Sequence, residues 1–214
     1  MGYGKFKNSD GSFLIMEYID TDCVESRNPG SGLSFAQKLA KLHTASAPVP
    51  FGHHHPMFGW PESTYCGSTR QTNTYRASWP KFYAENRLLA VLQAIDDANG
   101  TDSELRTAVE TVVRRVVPRL LGIGHLGGKR GITPVLVHGD LWIGNRVWGQ
   151  IATWSGPEEV CFDPSACYAH SEYEIGIMRM FGGFSAGFFH EYHRLVPKTE
   201  PKEEYEDRIA LYQL

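Results

Sequence analysis

The run VLVHGDLWIGN at 135–145 constrains this chain more than any other feature. Val135, Leu136 and Val137 read as a short apolar strand. Gly139 then allows a backbone turn that a side chain would oppose. Asp140 follows, and Asn145 stands five residues beyond it. A second apolar segment, Val160-Cys161-Phe162, ends in Asp163-Pro164. A strand, a turn carrying an acid, an amide at fixed spacing and a second acid after a hairpin form the layout of a phosphoryl-transfer site.

Phosphoryl transfer asks little covalent chemistry of a protein. It needs an aligned hydroxyl, neutralised phosphate charge and a dry site. Asp140 would accept a hydrogen bond from a substrate hydroxyl and take its proton. Asn145 offers a neutral oxygen and Asp163 a charged one, the hard ligands that Mg²⁺ prefers beside the phosphates of ATP. His138 would brace the loop.

Other polar clusters carry less. His53, His54 and His55 are consecutive and cannot converge well on one ion. His190 and His193 share a predicted helix but have no third ligand in register. Cys23, Cys66, Cys161 and Cys167 lack CxxC spacing, which speaks against a zinc or disulfide framework and fits a reducing, cytoplasmic setting. Cys161, on an apolar strand, is expected in the core. No apolar stretch is long enough to span a bilayer, and Lys5, Asn8, Ser9 and Asp10 interrupt any signal-peptide pattern. The net charge of −3 resides in 198–207, with five acids and two lysines, so the rest is balanced. That speaks against a broad nucleic-acid footprint.

The hydrophobic pattern predicts an α-rich protein. Gly11 to Ile19 reads as a strand and Ser34 to Thr44 as a helix. Residues 46–76 read as a long ordered loop. A helix is expected from Trp79 to Ile95. Another follows a Thr101-x-x-Glu104 capping box, with Leu105, Val109, Val112, Val113, Val116 and Leu120 as core positions and Pro118 as a kink. Short strands at 135–138 and 160–162 flank a hairpin at 147–158. Helices close the chain from Glu172 to Met180 and from Phe184 to Leu195.

Ordered blocks along the chain resemble the fructosamine/ketosamine-3-kinase family, relatives of aminoglycoside phosphotransferases. They are Met16-Glu17-Tyr18-Ile19, Leu39-Ala40-Lys41-Leu42-His43, Phe51-Gly52, Tyr65-Cys66-Gly67, Gln71-Thr72-Asn73 with Trp79, HGDLWIGN at 138–145, and Phe162-Asp163-Pro164. HSEYE at 170–174 and MFGGF at 180–184 complete the series. The resemblance implies an α+β, protein-kinase-like fold, mostly its α-rich C-terminal lobe. Residues 1–19 would be a remnant of the N-lobe strands and hinge, and 20–214 the C-lobe.

It also implies a chemistry. Such enzymes use ATP to phosphorylate the sugar O3′ of ketosamines, fructosamine or ribulosamine on glycated protein lysines or small ketosamines, which leads to deglycation. By resemblance, Asp140 is the proton acceptor, Asn145 and Asp163 hold Mg²⁺, and the backbone of Met16, Glu17, Tyr18 and Ile19 meets adenine. Trp142 packs against the sugar-amine. His170 and Glu172 stand on the acceptor side or brace the loop. Family members carry an N-lobe with a phosphate loop and a strand lysine, and fewer than twenty residues precede the hinge here. The chain therefore reads as a fragment or degenerate paralogue with little turnover of its own. The alternatives are a catalytically impaired pseudokinase and a small-molecule phosphotransferase of the aminoglycoside or choline type.

Overall fold

The computed structural model describes residues 2–22 and 32–214. Its contacts form two compact units, 1–34 with 146–161, and 35–145 with 162–214. The hairpin at 146–161 thus joins the N-terminal strands, where the sequence suggests a boundary at residue 19. Cys23 lies outside the described residues.

In the first unit, Gly2–Lys5 pairs antiparallel with Ser12–Ile15, Tyr3 opposite Leu14. The rings of Phe6 and Phe13 lie 5.4 Å apart across this ribbon. The expected strand from Gly11 to Ile19 is interrupted. Residues 16–18 leave strand geometry, and Ile19–Asp20 pairs instead with Arg146–Ile151. That strand also pairs with Glu158–Cys161, giving a three-stranded sheet. Cys161 at its end is exposed, not a core residue.

The second unit is mainly helical. Ser103–Thr111 begins at Asp102, whose carboxylate accepts from the N–H groups of Glu104 and Leu105. The cap is therefore Asp102 rather than Thr101, since its carboxylate stands two and three residues before the free N–H groups it accepts from. The helix runs on through a wide π-type turn at Val112–Val116 into Val117–Leu121. This turn precedes Pro118 and absorbs the missing N–H that would otherwise break the helix. Leu120 is buried, and Val109, Val112, Val113 and Val116 pack on the core, but Leu105 is exposed. The segment from Trp79 likewise passes through a wide turn at Ala84–Leu89 and ends at Asn99. Within the predicted loop 46–76, Thr64–Cys66 and Thr69–Gln71 form a hairpin.

Two hydrophobic clusters fill this unit. Trp79, Phe82, Tyr83, Val137, Cys167 and Tyr212 belong to one. Leu39, Leu141, Ile175, Met178, Tyr192 and Ile209 belong to the other. Val137 and Leu141 are both fully buried, one in each cluster. The turn between them, 138–140, is thus pinned at both ends, each anchor contributing about 1.5–3 kcal/mol of burial. Among the described residues no helix is long and apolar enough to cross a membrane.

Candidate active site

Strand Val135–Val137 pairs antiparallel with Cys167–Ala169, Val137 opposite Cys167. Its end carries His138, Gly139 and Asp140 into the turn. Gly139 has φ +82°, and a Cβ there would collide with the carbonyl oxygen of Ser165. Only glycine satisfies both the left-handed backbone and that approach.

The turn is held from beneath by Glu174, which is 0% exposed. Its carboxylate accepts from the backbone N–H of His138 and, at 3.1 Å, from that of Gly139. Behind it, Nε2 of His43 lies 3.7 Å from the carboxylate, while Nδ1 of the same ring bonds the Tyr192 hydroxyl at 2.7 Å. These residues were not singled out from sequence as part of a site. An acid on the apolar face of a helix, beside Ile175 and Met178, was the available signal.

Asn145 organises the polar face. Its Nδ2 donates to the carbonyl oxygen of Asp140 at 2.8 Å and to Asp140 Oδ2 at 3.2 Å. Both partners are acceptors, so the nitrogen must face Asp140 and the amide oxygen is left for another ligand. The backbone carbonyl of Asn145 accepts from Phe162 N–H at 3.1 Å. His138 Nε2 meets the carbonyl oxygen of Phe162 at 2.8 Å. Together these bonds tether Phe162-Asp163 to the acid-bearing turn. Asp163 is exposed and has φ +57°, a left-handed conformation uncommon for aspartate.

Burial pushes the Asp140 carboxyl up, with Asp163 and Glu174 adding to the rise against the opposing effects of His138 and Asn145. An acid so raised is better matched to accepting a proton. The mutual repulsion of Asp140 and Asp163 is what a divalent cation relieves. Asp163 and the Asn145 amide oxygen are hard oxygen donors of the kind Mg²⁺ prefers, and leave Asp140 for the proton. The Cys66 thiol, at the tip of the 64–71 hairpin, is raised by burial and by Asp140 and Asp163, so a protonated thiol neighbours the acids.

The other predicted residues fall in different places. Trp142 is partly exposed beside the turn, its ring resting over Gly144 and 5.6 Å from Phe181. His170 and Glu172 are buried and engaged. His170 bonds Tyr212 and Thr199 through its two nitrogens at 2.9 and 2.8 Å. Glu172 pairs with Arg208 at 2.7 Å and accepts from Thr199 N–H. This geometry favours bracing over substrate contact for both, since burial and existing partners occupy their polar atoms. Met16, Glu17, Tyr18 and Ile19 belong to the first unit, with Met16 and Tyr18 exposed.

The family model described as fructosamine kinase matches residues 2–214. The chain belongs to the fructosamine kinase family. It is 33% identical to ketosamine-3-kinase of Mus musculus over 95% of this chain and 65% of that protein. It is 33% identical to the chloroplastic protein-ribulosamine 3-kinase of Arabidopsis thaliana over 94% of this chain and 55% of that protein. The chain thus spans between about half and two thirds of the length of these curated relatives. A crystal structure of a candidate fructosamine-3-kinase from Haemophilus somnus superposes with a TM-score of 0.69 at 26% identity, covering 94% of this chain and 58% of that one. One from Thermobifida fusca gives 0.66 at 26% identity, covering 96% and 62%. The α+β, kinase-like fold expected from the family's motifs is the one observed.

Proposed function

We propose that this member of the fructosamine kinase family carries the hydroxyl-activating and metal-holding residues of an ATP-dependent ketosamine 3-kinase. The acceptor is the O3′ hydroxyl of a fructosamine or ribulosamine, on a glycated protein lysine or a small ketosamine. Asn145 carries the reading, because one side chain and its own carbonyl tie Asp140 to the Phe162-Asp163 segment.

In this scheme Asp140 accepts a hydrogen bond from the acceptor hydroxyl. The hydroxyl oxygen bonds to the γ-phosphorus as the bond from that phosphorus to the β–γ bridging oxygen breaks. ADP leaves, and the proton passes to the Asp140 carboxylate. Asn145 and Asp163 would hold Mg²⁺, which neutralises phosphate charge when bound. Glu174 keeps the turn in place without touching substrate. Trp142 offers an aromatic face to the sugar-amine, and the backbone of Met16 to Ile19 is assigned to adenine. The phosphorylated ketosamine then releases the amine, completing deglycation.

Calorimetry with Mg²⁺-ATP on the chain and on Asp163→Ala, paired with phosphate transfer to a ribulosamine peptide, tests this. Micromolar binding lost in the variant is expected, with slow formation of a product phosphorylated at O3′. Binding indifferent to Asp163 would overturn the reading.

A further inference from the structure

The left-handed conformation of Asp163, at φ +57°, is one that an aspartate keeps only where its surroundings fix it. On its N-terminal side both backbone groups of Phe162 are held. The N–H donates to the Asn145 carbonyl at 3.1 Å, and the carbonyl meets His138 Nε2 at 2.8 Å. On its C-terminal side Pro164 has no N–H to donate, and the anchor is Ser165.

Ser165 is 1% exposed. Its carbonyl oxygen lies against Gly139 of the acid-bearing turn. Its hydroxyl donates to Gln71 Oε1 at 2.9 Å and stands 3.4 Å from Thr64 Oγ1. Thr64 and Gln71 are directly opposed across the 64–71 hairpin. Their side chains therefore leave the ribbon on one face and converge on the same hydroxyl. The base of the hairpin is locked in turn. Asn73 Nδ2 donates to Thr64 Oγ1 and to the Glu62 carbonyl, each at 2.9 Å, and Asn73 Oδ1 accepts from the buried Arg87 guanidinium at 2.8 Å. An alanine would fill nearly the same space as Ser165, so what the hydroxyl contributes is its hydrogen bond.

We infer that Ser165 and Gln71 are positioning residues. Their hydrogen bond holds Asp163 in the left-handed conformation in which, on the function proposed above, it would hold Mg²⁺. The metal half of the inference rests on that reading. The anchor does not.

The test compares the parent chain with Ser165→Ala, Gln71→Met and the double variant. Backbone carbon chemical shifts of Asp163 read its φ, and calorimetry reads ATP affinity with Mg²⁺ and with a chelator. Each single substitution should remove the left-handed signature, and the double variant should go no further, because all three break one bond. The gain in ATP affinity that Mg²⁺ brings should fall about tenfold, one decade in Kd, with the affinity for metal-free ATP unchanged. A merely structural loss would weaken both alike. Gln71→Met, an unbranched side chain of similar length, keeps the test decisive if Ser165→Ala fails to fold. A left-handed signature kept in both single variants, or one lost with the Mg²⁺ gain intact, overturns the inference. No Mg²⁺-ATP binding by the parent would overturn the proposed function instead, and the chemical shifts would still decide the anchor.

Discussion

The buried carboxylate of Glu174 accepts hydrogen bonds from the main-chain N–H groups of His138 and Gly139, so a residue 34 positions downstream of Asp140 sets the path of the turn that presents it. Replacing one carboxylate oxygen by an amide nitrogen confronts a backbone donor with another donor. Glu174→Gln is expected to cost about 2–4 kcal/mol, since a buried N–H loses its acceptor. For a chain of this size the Tm should fall by about 10 °C. Thermal unfolding together with hydrogen exchange at residues 138 and 139 checks this. An unchanged Tm with unchanged protection would contradict the anchoring role.

Asp140→Asn separates chemistry from architecture. The amide cannot take a proton, and a general base contributes about 10²–10⁴ in rate. With the acceptor of the proposed reaction, kcat should fall by that factor. The side chain is only half-buried, so the Tm should move by no more than about 2 °C. Turnover retained within a few-fold would remove Asp140 from the reaction.

Acid should loosen the helical unit in a defined window. Burial holds the His170 imidazole down to about 4, with Arg208 and His43 adding to the fall against Glu172. The unfolded chain, with an ordinary histidine, therefore binds a proton that the folded chain refuses between about pH 6.5 and 4. Stability is complete above about pH 6.5 and declines as pH falls, by about 3 kcal/mol at the foot of the window. Glu172 acts in the same direction lower down. Burial would raise its carboxyl, but His170, Arg208 and the Thr199 N–H together hold it below the usual carboxylate range. That contribution is present above the ordinary carboxylate pKa and lost as pH falls through its own lower value. Denaturant unfolding from pH 7 to 4 should show the decline, and His170→Asn should flatten its upper part. A flat profile in the parent chain would show that His170 is not held neutral.

Gly144 lets the Trp142 indole lie across the backbone, and a methyl group there would occupy the ring's place. Gly144→Ala should displace Trp142 into solvent and red-shift its emission. Little stability should be lost, because the ring is already partly exposed. Under the proposed function, KM for the ketosamine should rise more than kcat falls. An unshifted spectrum, read against Trp142→Phe to isolate this residue's emission, would show that the ring had not moved.

Local pattern determined a good deal by itself. The strand before His138 and the helices from Phe35, Trp79, Ser171 and Ala186 follow from short-range periodicity and turn residues, whereas the hairpin expected at 147–158 takes in the supposed flanking strand, since Arg146–Ile151 pairs with Glu158–Cys161. Asp140 and Asn145 were legible together because their spacing is itself the geometry of one turn, and their hydrogen bonds follow from that closeness. What lay outside its reach depends on partners distant in sequence. Glu174 and His43 become a brace only when two helices bring a buried acid and an imidazole beneath the same strand end. Cys161 looked like a core residue on an apolar strand, but it stands exposed at the end of that strand. Leu105 fits the apolar stripe of its helix, yet its neighbours leave it at the rim of an open cavity. On sequence grounds His170 and Glu172 could face substrate or pack inside to brace the loop. Their burial against Tyr212, Thr199 and Arg208 was decided by packing, because the desolvation of a polar group depends on what surrounds it rather than on its place in the chain.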